Sequence, residues 1–352
     1  MNRMLQGLTT LALSAICTIT QAQEIRMQGA GSTFVAPLMQ RWTTAYQKAH
    51  PEVMIDYQSI GSGGGIKGIT GKTLEFGASD APMSKKEIDK AGGGIINIPV
   101  IAGAVVAAYN LPGVSGDLKL KGQILADIFQ GKITKWNDPK IAASNPGMQL
   151  PDLAITATHR TDGSGTTFLF TSYLSTQSVD FKEKVGAAKS VEWVGGQAGK
   201  GNEGVTQVVQ GTPGGIGYVE LAYANQNKLS FALVKNKDGE FVKATPESTS
   251  LAGDAAAKEM KDSLVVPLWD QPGKGVYPIC GLVYVLVYQD LGYVKSEAKA
   301  KALADFLSWA TQDGQKMASS LDYAPLNEAI QKKVAETLGT LTWAGKPVLA
   351  AK

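Results

Sequence analysis

Apolar positions along the chain fall into two rhythms. Short, nearly continuous apolar runs occur at residues 53–57, 74–78, 95–109, 153–157, 215–218 and 282–288. Most are bounded by Gly, Pro or Asp, which marks them as strands. Between them, apolar residues recur three or four apart. Phe34, Leu38, Trp42 and Tyr46 do so early in the chain, and Leu303, Phe306, Leu307 and Ala310 near its end. That spacing lines one face of a helix. Alternation of the two patterns predicts an α/β fold whose strands are mainly parallel. No repeat of fixed period and no low-complexity segment interrupts it. Turn-rich segments at 110–116 and 269–278 are the candidate seams. If the chain crosses between two lobes at both, the first lobe is assembled from both ends of the sequence.

The first 22 residues follow a different pattern. One early cation, Arg3, precedes an apolar stretch broken by Ser and Thr, and Ala22 stands just before the first acid, Glu24. This reads as a secretory signal cleaved near Ala22. A membrane span needs about 20 apolar residues, and Gln21 and Gln23 arrive too soon. Cys17 could suggest lipid attachment, but Ile16 precedes it, where processing requires a small side chain. The mature chain then keeps one cysteine, Cys280, so no internal disulfide can form. Its apolar neighbours make Cys280 a core residue. No later segment is long and apolar enough to cross a bilayer, and the expected product is soluble and exported.

Length and composition narrow the function. The 352 residues suggest two domains at about 150 residues each. Apolar residues make up 44% and charged residues 18%, the latter below the usual figure of about 25% and far from a disordered chain. A net charge of +3 is too small for a protein that holds nucleic acid by neutralising many phosphates. Glycine is the excess, at 40 residues, and implies many places where the backbone turns sharply or is approached closely.

Three of those places combine Gly with Ser or Thr just before a helical pattern. They are Gly29-Ala30-Gly31-Ser32-Thr33-Phe34, Gly61-Ser62-Gly63-Gly64-Gly65 and Asp162-Gly163-Ser164-Gly165-Thr166-Thr167. Each predicts a strand end, a tight loop and a helix start. There, backbone N–H groups lack a partner within the helix and the helix dipole favours negative charge. Ser, Thr and Gly are also ordinary N-cap residues, so one such loop carries little. Three in one chain favour an anion site. Arg160 sharpens the case, because it is the only arginine after Arg41 in a chain with 30 lysines and lies two residues before the third loop. Its planar fork suits an oxyanion, with Asp162 placed to hold it. Asp80, at the carboxyl end of a short apolar run, stands where an open α/β sheet puts ligand contacts.

Enzymatic chemistry finds fewer footholds. Gly71-Lys72-Thr73 resembles the end of a phosphate loop, but the spacing requires Gly at position 66, which is Ile66. No serine lies in a Gly-x-Ser-x-Gly elbow. With two His and one mature Cys, a zinc site has almost no ligands, and no cofactor is implied. His159 is near enough in sequence to Ser164 for a hydrolase pair, although strand alternation puts His159 and Arg160 on opposite faces. His50, between a helix and Pro51, is expected at the surface. Gly195-Gly196-Gln197-Ala198-Gly199-Lys200-Gly201-Asn202 reads as a solvated turn outside the site.

Five strings occur in order: Gly31-Ser32-Thr33-Phe34, Tyr57-Gln58-Ser59-Ile60-Gly61-Ser62-Gly63-Gly64, Phe76-Gly77-Ala78-Ser79-Asp80-Ala81-Pro82, Arg160-Thr161-Asp162-Gly163-Ser164-Gly165-Thr166 and Gly217-Tyr218-Val219-Glu220. From about residue 28 to 347 the chain resembles the periplasmic phosphate-binding proteins of high-affinity phosphate ABC transporters. The resemblance implies a two-lobed, type II periplasmic-binding-protein fold, each lobe a mainly parallel sheet flanked by helices and hinged around a central cleft. Lobe I would comprise 23–108 and 279–352, and lobe II 109–278. It implies a periplasmic, non-enzymatic receptor, monomeric, that delivers inorganic phosphate to transmembrane permease subunits. By the same resemblance Thr33, Phe34 and Ser62 donate to the anion from one lobe. Arg160, Ser164, Gly165 and Thr166 donate from the other, Asp162 orients the arginine, and Asp80 is the single acceptor. His159 and Thr161 stand where relatives carry other side chains, and neither is a direct ligand. The stretch 244–261 is less similar and holds no site residue. An exported hydrolase using Ser164 with His159, or a binder of another oxyanion, remains the alternative.

Overall fold

In the computed structural model, which describes residues 24–260 and 263–349, the longest apolar run becomes one strand that serves two groups of strands. The expected secretory signal lies outside the described residues. Nine strands form the main sheet. They are β1 (Ile25–Gly31), β2 (Val53–Ser59), β3 (Phe76–Ser79), β4 (Ile95–Tyr109), β5 (Thr156–Arg160), β6 (Gln197–Gly199), β7 (Gly215–Glu220), β8 (Ser230–Phe231) and β9 (Cys280–Tyr288). Their order is β2-β1-β3-β9-β4-β7-β5-β6, with β8 also beside β4. β1 runs parallel to β2 and β3, and β5 parallel to β6 and β7. Antiparallel pairs appear where β9 and β4 join these groups. This is the expected α/β architecture.

β4 explains the division. From Ile95 to Ala104 it pairs with β9, and from Val105 to Tyr109 with β7. It is buried from Asn97's neighbour Ile98 onward, as its unbroken apolar sequence requires. Pro99 cannot donate to a ladder, and the β4–β9 register shifts between Val283 and Tyr284, opposite that proline. A bulge is where a sheet tolerates such a residue.

Helices cover the sheet through the predicted faces. α1 (Ala36–Ala49) buries Leu38, Met39, Trp42 and Tyr46, with Pro37 in its first turn, where a missing N–H is harmless. Trp42 also donates from Nε1 to the Gly314 carbonyl at 2.8 Å. Trp42→Ala would cost about 3–5 kcal/mol through lost burial and the cavity left behind. α2 (Ser62–Thr70), α3 (Gly165–Gln177), α4 (Gly201–Gly211) and α5 (Leu221–Gln226) follow. α6 (Glu297–Ala310) is capped by Ser296 and buries Leu303, Phe306, Leu307 and Ala310. No described helix is long and apolar enough to cross a membrane. Cys280 is buried and unpaired, as its neighbours imply.

Two expectations need adjustment. The run expected at 153–157 enters the sheet only at Thr156, because the Ile155 N–H donates to the Thr134 carbonyl and the Leu153 carbonyl accepts from Trp136. β1 escapes a search for apolar runs because the exposed Arg26 and Gln28 interrupt it. Its inward residues nevertheless alternate as a strand's should.

Candidate functional site

Four strand ends and three helix starts converge on one buried point. β1 ends at Gly31, where φ is +139° and an added Cβ would lie 2.1 Å from the Ala78 carbonyl oxygen. Only glycine fits there, and it turns the chain into Ser32, Thr33 and Phe34. β2 leads through Gly61 into α2, β3 ends beside Asp80, and β5 ends at Arg160 before Ser164 caps α3. All three glycine-rich loops thus have the expected strand–loop–helix form.

The loops meet directly across the join between the two strand groups. The Ser62 hydroxyl oxygen accepts from the Gly165 N–H at 3.0 Å and from the Asp80 N–H at 3.3 Å. Gly63 N–H donates to the Gly163 carbonyl at 2.8 Å. Asp80 is buried, accepts from the Ser32 hydroxyl through Oδ1, and accepts from the Thr166 hydroxyl through Oδ2 at 3.5 Å. Burial pushes its carboxyl up to about 7, against the opposing pull of the Ser32 hydrogen bond and the Arg160 charge.

Arg160 is held as a fork. Its Nε donates to Asp162 Oδ1 at 2.8 Å and its Nη2 to Oδ2 at 2.5 Å. The arginine side chain is 1% exposed, so this is a desolvated, bidentate pair with fixed orientation. Burial raises the Asp162 carboxyl, but the arginine's hydrogen bonds and charge outweigh it and hold the group below its ordinary value. Arg160 Nη1 reaches the Thr166 hydroxyl oxygen at 3.3 Å. The Ser164 hydroxyl accepts from the Thr167 N–H at 3.0 Å. Thr33, Phe34, Ser62, Asp80, Arg160, Asp162, Ser164, Gly165 and Thr166 therefore lie in or directly beside one network. Chemically it offers many donors, one arginine already half-neutralised, and one carboxylate acceptor.

Known proteins are similar to this chain over most of its length. A family model described as the PBP superfamily domain matches residues 18–313. The phosphate-binding protein PstS of Xylella fastidiosa (strain Temecula1) is 44% identical over 315 residues, covering 89% of this chain and 85% of that protein. PstS of Pasteurella multocida (strain Pm70) is 44% identical over 328 residues, 93% of each. The chain belongs to the PstS family of the PBP superfamily. The crystal structure of a phosphate-binding protein from Stenotrophomonas maltophilia aligns with a TM-score of 0.66 at 21% identity, over 88% of this chain and 93% of that one. A high affinity periplasmic phosphate-binding protein, PfluDING, solved bound with phosphate, aligns with a TM-score of 0.68 at 19% identity over the same shares. At these identities the structural likeness speaks for the fold.

Sequence reasoning misjudged two positions in this PstS-family chain. The loop at 195–202 is not wholly a solvated turn. Gln197–Gly199 pairs with β5 as β6, and α4 starts at Gly201. The Gly201 N–H donates to Asp162 Oδ1 at 3.0 Å, and the fully buried Asn202 bonds both Thr33 and Thr166. Residues 195–198 and Lys200 keep the expected exposure, whereas Gly199, Gly201 and Asn202 are buried. The reason is that parallel pairing with β5 carries this loop to the same edge as Arg160. Ser32 lies outside the expected site residues, yet its hydroxyl donates to Asp80 Oδ1. Its position between Gly31 and Thr33 was the available signal. His159, by contrast, packs away from Ser164. Its ring stacks on Trp193 with centroids 5.7 Å apart.

Proposed function

We propose that this PstS-family chain is a periplasmic receptor that captures inorganic phosphate between two lobes, 23–108 with 279–352 and 109–278, and delivers it to the transmembrane permease subunits of an ABC transporter. It acts as a monomer, without catalysing a reaction. The anion is held by Thr33, Phe34, Ser62, Arg160, Ser164, Gly165 and Thr166, with Asp162 fixing the arginine and Asp80 accepting. The relatives' name, phosphate-binding protein, supports the ligand class. The change of partner along β4, between Ala104 and Val105, supports a hinge near that point.

The observation that carries the ligand choice is Asp80, a buried carboxyl surrounded by donors. A buried dianion with few cations is tolerable only where many neutral donors converge on it. Once ionised, above about pH 7, that carboxyl repels any anion that brings no proton to share. Phosphate brings one near neutral pH. Sulfate offers only acceptors, which leaves two facing acceptors, and mismatches of that kind give large discrimination. Against the hydrolase reading, Ser164 serves as a helix cap and His159 stacks on Trp193.

The test is native mass spectrometry of protein from the exported fraction, paired with turnover of a chromogenic phosphate ester. The receptor reading expects one retained phosphate, a processed N-terminus and no turnover. Steady hydrolysis of the ester, or retention of another anion, overturns it.

A further inference from the structure

We infer that Asn202 sets the hydrogen-bond polarity of the phosphate site by filling the acceptor sites of the Thr33 and Thr166 hydroxyls, so that both can only donate to the ligand. This rests on the phosphate reading above. The Glu220 N–H donates to Asn202 Oδ1 at 2.9 Å. An N–H cannot accept, so the amide oxygen must face β7 and the amide nitrogen must face the threonines. One Nδ2 hydrogen goes to Thr33 Oγ1 at 2.7 Å and the other to Thr166 Oγ1 at 3.3 Å.

Each threonine oxygen then has no acceptor capacity left. Thr33 Oγ1 accepts a second bond from the Asn202 N–H at 3.2 Å. Thr166 Oγ1 accepts its second from Arg160 Nη1 at 3.3 Å. A hydroxyl has two acceptor positions and one proton, so both residues are left as donors only: Thr33 keeps its proton for the ligand, and Thr166, whose hydroxyl donates to Asp80 Oδ2 at 3.5 Å, can only redirect that proton to the ligand. Left to itself, a threonine hydroxyl rotates to suit whatever it meets and discriminates weakly. With Asn202 in place, the two hydroxyls present fixed donors, one from the β1–α1 loop and one from the start of α3. Asn202 touches both sides of the site, and its amide is fully used by Thr33, Thr166 and the Glu220 N–H, which makes it a positioning residue.

Asn202→Leu removes the amide, and Asn202→Asp keeps the shape and the oxygen facing Glu220 while replacing the donor by a carboxylate. Phosphate dissociation constants are measured by calorimetry for wild type and both variants from pH 5 to 8, and read as variant-to-wild-type ratios. The surrounding titratable and charged groups are Asp80, Arg160, Asp162, Glu203, Glu220 and Tyr223. All are common to the three proteins, so the ratio reports the substituted side chain. The expected result is about tenfold to hundredfold weaker binding for Asn202→Leu at every pH. Asn202→Asp is expected to match that loss at pH 8 and to recover as the pH falls, because a protonated carboxyl can again donate. In a Thr33→Val background, Asn202→Leu is expected to cost clearly less. A ratio near one for Asn202→Leu, or an Asn202→Asp deficit independent of pH, overturns the inference. A wild type that takes up no phosphate overturns the receptor reading instead.

Discussion

Removing the charge of Asp80 gives a prediction whose size follows from burial. In the folded protein this carboxyl is 2% exposed and pushed up to about 7, from an ordinary 3.8. In the unfolded chain it ionises at the ordinary value. Between about pH 4 and 7 the folded protein therefore holds a proton that the unfolded chain has lost. Stability must fall as the pH rises through that window, and level off above it. A gap of about three pH units at 1.36 kcal/mol each amounts to roughly 4 kcal/mol. With so little exposure, solvent screening takes little from that figure. Asp80→Asn cannot titrate, so its stability relative to wild type is expected to rise by roughly 4 kcal/mol between pH 4 and pH 8. Urea unfolding in phosphate-free buffer at each pH measures this, because the other titratable groups cancel in the difference. A difference that stays constant from pH 4 to 8 would show that Asp80 ionises freely in the folded protein, and would refute the reasoning.

Three further outcomes follow from the same contacts. Arg160→Lys keeps the charge but loses the fork, so phosphate affinity is expected to fall about tenfold by calorimetry; an unchanged dissociation constant would make Arg160 a purely structural residue. Gly165→Ala places a Cβ 2.5 Å from Asp80 Oδ2, an overlap that must push the two sides apart, so phosphate binding by calorimetry is expected to be lost. Retained binding would mean that the two sides need not approach this closely. Small-angle scattering is expected to show a smaller radius of gyration with phosphate than without, since a ligand drives a hinge only through contacts on both sides; identical curves argue against closure.

Much of this was legible in the sequence for reasons that can be named. β4 and β9 were visible because strands buried on both faces need unbroken apolar runs, and α1 and α6 because each buries one stripe. The three glycine-rich loops announced themselves through residue types that few other backbone geometries require. Other parts left no local signal. β1 alternates polar and apolar residues, and β6 contains no large apolar residue at all. Asn202 looks like an ordinary loop residue. It reaches the site only because β6 pairs with β5, which brings residues 160 and 199 side by side. Such long-range pairing is a property of the sheet and cannot be read from spacing along the chain. The sharing of Asp80 between Ser32 and Thr166 is hidden for the same reason.

The central claim is that a buried carboxyl selects an anion able to share its own proton. Calorimetric titration of wild type and Asp80→Asn with phosphate and with sulfate at pH 8, where Asp80 is ionised, tests it most directly. The account predicts that wild type binds phosphate far more tightly than sulfate, and that Asp80→Asn narrows the gap by gaining sulfate affinity and losing phosphate affinity. Equal affinities for the two anions in the wild type, or an unchanged gap in the variant, would contradict it.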